Sequence, residues 1–281
     1  MINKKVAFVG LSHLGIIYSH AAAKKNFSVT AIDSNNTLLE DLKKNNFPFY
    51  EKGLLNIGKK YKINYSNNFD IIKNFDLVFL SLDIKTDNKN RSNLKDFKKI
   101  YLKLQLLLKK NSTLVILSQI KPGTINKLKR RKDLKLFYQV ETLIFGESVE
   151  RALFPERIIV GKDKKLKIGK KYNDFLNSFT ENIIITDYIT AELSKLYINI
   201  FLATTITTTN VLSEYTYDVG GKWTDIMKIL RSDKRLGKFS YVQPGLGISG
   251  GNLERDLENI ESLVSKKMNK KYFKNINNIS D

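Results

Sequence analysis

The chain has 281 residues, of which 42% are hydrophobic and 27% are charged, a balance typical of one large or two moderate globular domains. It contains no cysteine, which excludes disulfides, thiolate metal sites, iron–sulfur clusters and a cysteine nucleophile, and its two histidines, His13 and His20, disfavour a multi-histidine metal site. Lys and Arg total 48 against 28 for Asp and Glu, which gives a net charge of +20.

The distribution of the positive charge along the chain indicates whether a nucleic acid or a small anionic ligand is the expected partner. The lysines are spread along the whole chain, in keeping with a bias toward Lys, Asn and Ile, and the densest basic run, Lys127 to Lys135, has no interleaved aromatic residues. We interpret this run as a solvated helix face and expect no nucleic-acid partner, whereas an anionic small ligand fits the charge equally well. No stretch resembles a signal peptide or an apolar membrane span, so we predict a soluble, cytoplasmic protein.

Short β-branched runs alternate with helical patterns over the first part of the chain. The strand candidates are Lys5–Val9, Ser28–Asp33, Asp76–Leu82, Thr113–Ser118 and Arg157–Val160, and helical spacing covers Gly15–Lys25 and Thr37–Asn45. Such alternation is typical of a mostly parallel sheet covered by helices on both faces. We therefore predict a Rossmann-like α/β domain over residues 1–186.

The pattern becomes helical in the last third of the chain. Ile189–Ser213 is one long helical stretch without Gly or Pro, and helical spacing returns at Lys222–Arg231 and Leu253–Lys267. We predict an all-helical domain over residues 187–281.

The turn after the first strand carries a variant of a dinucleotide-binding fingerprint. Gly10 would form the tight turn and Gly15 would let helix and strand pack closely, but Ser12 stands where the fingerprint has its middle glycine. The helix N-terminus would offer amide donors to phosphates. Asp33 ends the second strand, where its carboxylate can accept hydrogen bonds from a ribose 2′-OH and repel a 2′-phosphate. We predict NAD as the cofactor, with His13 as a loop residue beside it and His20 as a structural residue.

Two polar residues lie one turn apart on the long helix. Lys195 and Asn199 share a helix face because they are four residues apart. An ammonium and an amide together can hold a substrate hydroxyl and stabilise the oxyanion that forms as hydride leaves, and a buried lysine can act as a general base. A surface lysine and an asparagine satisfied within the fold remain the alternative reading.

A glycine-rich loop precedes a charged helical run. Four glycines lie between Gly245 and Gly251, and Asp256 follows in the helical run. Glycine permits close backbone approach to a ligand, and a helix start suits an anion. The alternatives are a surface loop and a carboxylate that complements the helix dipole.

Between about residue 4 and residue 265, a series of short segments resembles, in the same order along the chain, motifs of the UDP-glucose/GDP-mannose dehydrogenase family. Members of that family use NAD to oxidise the C6 alcohol of a sugar nucleotide to a carboxylate in two hydride transfers. The segments that carry the resemblance are Gly10–Gly15, Phe47–Leu54, Ser118–Thr124, Glu141–Gly146, Phe154–Gly161, Ala191–Asn199, Asp233–Gly237 and Pro244–Asp256.

The resemblance implies roles for particular residues. Lys195 and Asn199 match residues that stabilise the oxyanion, Asp256 matches an aspartate that transfers a proton with the lysine and a water, and Glu141 matches a glutamate that assists catalysis. The implied cofactor-binding residues are Gly10, Ser12, His13, Leu14, Gly15, Asp33, Ser81 and Gln119. The implied substrate-binding residues are Arg235, Tyr241, Gly245 and Gly247. The resemblance also implies a homodimer paired through the 189–213 helix, and a sugar or sugar-nucleotide substrate.

Three departures from the family pattern change the expected reaction. Asn252 stands at the position of the cysteine that carries the second oxidation, Gln119 replaces a threonine, and the sequence ends at Asp281, before the family's further nucleotide-gripping domain. Because an amide cannot form a thiohemiacetal, we predict a single two-electron oxidation. Two alternatives stay open: a β-hydroxyacid-dehydrogenase-like enzyme, and a non-catalytic NAD-binding subunit.

Overall fold

The computed structural model describes residues 4–84, 93–245 and Ile260. This part of the chain divides into two compact units, and the division falls within one long helix, at the step from Leu193 to Ser194. The first unit combines a sheet with helices, and the described part of the second is helical. The predicted fold class, a Rossmann-like α/β domain followed by a helical one, is confirmed. The predicted limits, 1–186 and 187–281, stay a prediction.

Strands and helices alternate along the first unit. The strands are β1 (Lys5–Val9), β2 (Ser28–Ile32), β3 (Asn64–Ser66), β4 (Leu77–Leu80), β5 (Thr113–Ile116), β6 (Lys135–Val140), β7 (Ile158–Gly161) and β8 (Ile183–Thr186). The helices are α1 (His13–Lys24), α2 (Asn36–Lys43), α3 (Leu54–Lys60), α4 (Lys95–Leu107), α5 (Thr124–Lys127), α6 (Ser148–Leu153) and α7 (Lys170–Asn177), with a 3₁₀ helix at Phe69–Asn74. Helix α8 (Tyr188–Asp218) begins in the first unit and continues into the second, which also contains α9 (Trp223–Ser232).

The strand order creates a topological switch point between β1 and β4. The order is β3-β2-β1-β4-β5-β6-β7-β8, so the chain builds outward from β1 on one side and then adds β4 on the other. The pairs from β3 to β6 are parallel, β6 pairs antiparallel with β7, and β7 pairs parallel with β8. Open sheets of this kind bind ligands outside the carboxyl ends of the strands at the switch point. Gly10 follows β1 and Ser81 follows β4 at that edge.

Both faces of the sheet are covered, which explains its unbroken apolar strands. Val6 and Phe8 of β1 belong to the core on one face of the sheet. Ala7 and Val9 belong to the core on the other face. A strand buried on both faces has a continuous apolar sequence instead of an alternating one. The ring of Phe8 stacks on that of Phe79 in β4, with 4.7 Å between ring centroids, and so joins the two strands at the switch point.

The basic run Lys127 to Lys135 is not the helix face that we predicted. Helix α5 ends at Lys127, and the run continues as an irregular segment that leads into β6. The guanidinium of Arg131 pairs with Asp133 and donates to the carbonyl oxygen of Leu108 at 2.8 Å. Contacts with a residue distant in sequence therefore order this segment, and local helical periodicity does not.

Helix α8 has 31 residues and includes the predicted stretch Ile189–Ser213. The helix predicted at Leu253–Lys267 lies outside the described residues. Among the helices that the structure describes, none is apolar over a length that could cross a membrane.

Candidate functional site

A tight turn links β1 to α1. Gly10 has a φ of +89°, in the left-handed region that favours glycine, and a Cβ there would lie 2.6 Å from Cδ2 of Leu82. A Cβ on Gly15 would overlap the carbonyl oxygen of Gly10 and lie 2.7 Å from Oγ of Ser81. Both positions therefore require glycine, Gly10 for the turn and Gly15 for the contact between α1 and the end of β1. These are the two roles that the sequence predicted for them.

Ser12 replaces the middle glycine of the fingerprint and serves as the N-cap of α1. Its Oγ accepts a hydrogen bond from the N–H of Gly15 at 3.5 Å and donates one to the carbonyl oxygen of Ser81 at 2.7 Å. Ser81 is itself buried and donates to the carbonyl oxygen of Gly10 at 2.8 Å, so its side chain supports the turn from within the fold. The first N–H groups of a helix have no acceptor within the helix, so this turn fits a phosphate.

Asp33 is tied to the same turn. Its Oδ2 accepts a hydrogen bond from the N–H of Leu11 at 2.7 Å, and its Oδ1 accepts one from the N–H of Asn35 at 2.9 Å. These bonds hold the carboxylate at the carboxyl end of β2, beside the phosphate-binding turn. Each carboxylate oxygen keeps a lone pair that can accept from a ribose hydroxyl.

His13 is the first residue of α1, not the loop residue that we predicted. Its ring lies between those of Phe49 and Phe145, at centroid distances of 4.5 and 4.4 Å. Its Nε2 lies 2.9 Å from Oε1 of Glu51, whose side chain is fully buried.

Glu51 has further hydrogen-bond donors around it. The N–H of Gly146 donates to Oε1 at 3.1 Å, the N–H of Ser148 donates to Oε2 at 3.1 Å, and Oγ of Ser148 lies 2.9 Å from Oε1. Burial by itself would raise the pKa of Glu51, but the hydrogen bonds from His13, Gly146 and Ser148 outweigh burial and bring the pKa below its ordinary value. The carboxylate is therefore the favoured form.

His20 has the structural role that we expected. It is buried in α1, where its Nδ1 donates to the carbonyl oxygen of Ile16 at 2.7 Å and its Nε2 lies 3.3 Å from the hydroxyl of Tyr65. Burial lowers the pKa of His20 to about 4, so the ring is neutral at physiological pH.

Three other predicted residues of the first unit lie near the ends of the sheet or in its core. Leu14 is buried in the core. Gln119 is half-buried and comes shortly after β5, and Glu141 is half-buried directly after β6. An oxygen of Glu141 accepts a hydrogen bond from the N–H of Leu143 at 2.9 Å, which orders the start of the Glu141–Gly146 segment.

The start of α8 is anchored by Glu192. This buried carboxylate accepts hydrogen bonds from the N–H groups of Gly123 at 2.6 Å and Ile125 at 3.0 Å, at the N-terminus of α5. Burial raises the pKa of Glu192 above its ordinary value despite these hydrogen bonds. Close packing adds to the anchor, since a Cβ on Gly161 would lie 2.8 Å from Cβ of Ala191.

Lys195 and Asn199 lie on α8 one turn apart, as predicted. Asn199 is buried, with 7% of its surface exposed, and Lys195 is half-buried. Both make polar interactions within the chain. Lys195 is thus neither fully exposed nor fully buried, and the roles of both residues stay a prediction.

The start of the glycine-rich loop is held by α8. The side-chain oxygen of Asn210 accepts a hydrogen bond from the N–H of Gly245 at 2.9 Å. Oγ1 of Thr209 donates to the carbonyl oxygen of Tyr241 at 2.9 Å. Two predicted substrate-binding residues, Tyr241 and Gly245, are thereby tied to one helix.

Of the four remaining predicted residues, the structure describes only Arg235. The guanidinium of Arg235 is exposed and pairs with Asp233 through two hydrogen bonds of 3.0 and 2.6 Å. Gly247, Asn252 and Asp256 lie outside the described residues.

Two of the carboxylates that organise these segments, Glu51 and Glu192, were not predicted as site residues. For Glu192 the available signal was its position between the apolar residues Ala191 and Leu193, whereas Glu51, between Tyr50 and Lys52, had only its place in a segment that resembles a family motif. Buried carboxylates need hydrogen-bond donors, so an acidic residue in such a position predicts a partner distant in sequence.

Comparison with known proteins identifies the family. Residues 4–178 match the NAD binding domain of the UDP-glucose/GDP-mannose dehydrogenase family, and residues 189–281 match its central domain. The chain belongs to this family. The cofactor prediction, NAD, is confirmed by the first match, and the steric requirement for glycine at positions 10 and 15 fits a turn that carries a dinucleotide.

Individual relatives in the UDP-glucose/GDP-mannose dehydrogenase family are distant. The UDP-glucose 6-dehydrogenase of Rickettsia prowazekii is 26% identical over 275 residues, which cover 92% of this chain and 62% of that protein. The UDP-N-acetyl-D-mannosamine dehydrogenase of Methanocaldococcus jannaschii is 24% identical over 261 residues, covering 89% and 59%. The chain thus spans about three fifths of the length of these curated relatives.

Solved structures of dehydrogenases share the fold. A UDP-glucose dehydrogenase from Pyrobaculum islandicum superposes with a TM-score of 0.82 at 19% identity, covering 98% of this chain and 68% of that one. A ternary complex of GDP-mannose dehydrogenase from Pseudomonas aeruginosa has a TM-score of 0.74 at 17% identity, with the same coverage.

Proposed function

We propose that this chain is an NAD-dependent dehydrogenase that oxidises an alcohol group of a sugar or sugar nucleotide. The observation that carries the proposal is the pair of Lys195 and buried Asn199, one turn apart on the helix that follows the NAD-binding domain. The named activities of the relatives support the substrate class, because each acts on a sugar nucleotide by its name. NAD and sugar nucleotides are metabolites of the cytoplasm, where we place the reaction.

The chemistry assigns a task to each polar group. When bound, NAD supplies the carbon that accepts the hydride from the alcohol carbon. The ammonium of Lys195 and the amide of Asn199 hold the hydroxyl oxygen and stabilise the negative charge that grows on it. The hydroxyl proton passes through a water to Asp256, and Glu141 assists by orienting the reacting groups.

We propose that oxidation stops after one two-electron step, at the carbonyl product. Further oxidation of an aldehyde through a covalent intermediate needs a nucleophile that forms a hemiacetal adduct and then a reactive acyl intermediate. The chain contains no cysteine, and the amide of Asn252 is not nucleophilic enough to replace one.

A turnover assay tests the reaction. Purified protein is incubated with NAD and a panel of sugar nucleotides, free sugars and small hydroxy acids, and both NADH and product are quantified. We expect one NADH per substrate and a product lighter by two hydrogens in mass spectrometry. Two NADH per substrate with a carboxylate product would contradict the single step. Stabilisation by NAD without turnover of any substrate would identify a non-catalytic member.

A substitution on α8 tests the assigned groups. We expect Lys195→Met to lower kcat by about 100-fold or more while NAD affinity, measured by calorimetry, changes less than about twofold. Lys228→Met on α9 removes an exposed lysine and serves as the matched control. Equal kcat values for the two variants would remove Lys195 from the mechanism.

We also propose a homodimer that pairs through α8. Large apolar side chains are exposed on this helix, among them Phe201 with 76% of its surface exposed, and Phe239 from the following segment is 83% exposed. Both side chains line one groove of the second unit together with Tyr197 and Leu236. Exposed aromatic residues clustered in one patch are typical of an interface.

A further inference from the structure

Glu51 is a buried carboxylate that no role assigned above requires. Its side chain has no exposed surface, and in the part of the chain that the structure describes no lysine or arginine forms an ion pair with it. Burial of a carboxylate is costly unless hydrogen bonds compensate, and an uncharged residue would avoid that cost. The hydrogen-bond donors around Glu51 therefore indicate which segments its carboxylate holds together.

The donors to Glu51 come from two segments that are far apart in sequence. One donor is Nε2 of His13, at the start of α1 in the phosphate-binding turn. The others are the N–H groups of Gly146 and Ser148, at the end of the Glu141–Gly146 segment and the start of α6. The hydroxyl of Ser148 lies 2.9 Å from Oε1 of Glu51 and 2.7 Å from the carbonyl oxygen of Ile144, so its one proton is shared between these two acceptors. One carboxylate thus bridges the cofactor turn and a segment 95 or more residues away.

The bridge is stiff. The ring of His13 is enclosed by Phe49 and Phe145, and Phe145 belongs to the same segment as Gly146. Phe145 itself is 72% exposed, so it covers His13 on the outer side. Displacement of the turn would break the hydrogen bond from His13 to the buried Glu51. It would also separate the ring of His13 from those of Phe49 and Phe145, and both losses cost free energy.

We propose that Glu51 is a positioning residue that acts through His13 to couple the NAD turn to the Leu143–Ser148 segment. This inference rests on the proposed function, in which α1 begins at the cofactor phosphates and Glu141 lies beside the reacting groups. Cofactor bound at the turn fixes His13, His13 fixes Glu51, and Glu51 fixes the N–H groups of Gly146 and Ser148. NAD bound at the turn thereby further restrains the segment that follows Glu141, which these hydrogen bonds already hold in place.

Hydrogen exchange and calorimetry test the coupling in the intact chain. In the wild type, NAD is expected to slow amide exchange in peptides that cover Leu143–Ser148. Glu51→Gln replaces one accepting oxygen with an NH₂ group, so we expect this protection to be lost and NAD affinity to fall about tenfold. Glu147→Gln makes the same chemical change at an exposed neighbour and should keep both the protection and the affinity.

A double-variant cycle separates coupling from a general loss of stability. His13→Phe keeps an aromatic ring between its neighbours but removes the donor to Glu51. If Glu51 acts through His13, His13→Phe combined with Glu51→Gln should bind NAD no more weakly than the weaker single variant. Additive losses, or unchanged protection of Leu143–Ser148 in Glu51→Gln, would overturn the inference while NAD binding by the wild type upheld the proposed function. A wild type that does not bind NAD would overturn both.

Discussion

The N–H of Leu11, in the turn after β1, donates a 2.7 Å hydrogen bond to Oδ2 of Asp33, at the end of β2. The carboxylate that would receive the ribose hydroxyls is thus bonded to the turn that would receive the phosphates. The hydrogen bond between Leu11 and Asp33 therefore links the two expected NAD contacts, and we expect a change at Asp33 to affect both.

Asp33→Asn should weaken NAD binding by about tenfold or more and reduce the preference for NAD over NADP. The amide can still accept from Leu11 through its oxygen, but its NH₂ group cannot accept from Asn35, and the negative charge that repels a 2′-phosphate is removed. Calorimetric titration with each cofactor measures both effects. Glu40→Gln makes the same change on exposed α2, and a similar loss of affinity there would show that overall charge is responsible.

Gly15→Ala should destabilise the first unit by about 3 kcal/mol or more, because the added Cβ would overlap the backbone oxygen of Gly10 and cannot rotate away. Gly169→Ala is the matched control: this glycine has a φ of −74°, and a Cβ there would meet only Nζ of Lys135, at 3.7 Å. We expect the control to cost about 1 kcal/mol or less in urea denaturation. Equal costs for the two variants would contradict the close packing of α1 on β1.

The stability of the fold should depend on pH through Glu192. Its pKa is raised in the folded chain by burial, so the folded protein holds a proton that the unfolded chain has already released. The free energy of unfolding of the wild type, relative to Glu192→Gln, should therefore fall as pH rises above the ordinary glutamate pKa of about 4.5, and level off above the folded pKa. Denaturation midpoints of both proteins over a pH series measure this difference.

Comparison of the wild type with Glu51→Gln should give a pH dependence of stability opposite in sign to that for Glu192→Gln. Hydrogen bonds bring the pKa of Glu51 below its ordinary value, so this carboxylate stabilises the fold above the unfolded pKa and loses that effect as pH falls through the folded pKa. The wild type should lose stability relative to Glu51→Gln on acidification, whereas it should gain relative to Glu192→Gln. If the difference in stability between wild type and variant changed with pH in the same direction for Glu51→Gln and Glu192→Gln, the hydrogen bonding and burial seen at these two residues would be contradicted.

Phe201→Glu should convert a dimer to a monomer, since it places a charge on the exposed apolar surface of α8. Leu106→Glu on α4 changes an equally exposed apolar residue of the first unit and should leave the mass unchanged. Light scattering at micromolar concentration distinguishes the two states. A monomeric wild type would refute the dimer.

The elements that follow from local sequence were predictable. A continuous apolar run flanked by glycine predicts β1, and the residue spacing predicts α1 and α8, because these patterns reflect burial and backbone geometry of neighbouring residues. The requirement for Gly10 and Gly15 could also be inferred, since the turn itself imposes it. The helical pattern and the four-residue spacing also predicted that Lys195 and Asn199 share one helix, where the structure has them, and the resemblance to the family then implied their roles.

Other features depend on which distant segments meet. The three-residue strand β3 has no apolar pattern, and only its pairing with β2 makes it a strand. The reversal at β6 and β7 and the loop held by Arg131 likewise have no local signature.

By itself, the sequence determined a Rossmann-like unit with an NAD turn, followed by a long helix, because hydrophobic periodicity and glycine geometry are encoded by residues close together in the chain. Only the tertiary structure revealed that Ser12 caps α1, that Glu192 anchors α8 and that Glu51 bonds to both His13 and Ser148. A buried carboxylate must find donors, but the sequence does not state which ones, because the strand order that brings them together is a property of the whole fold.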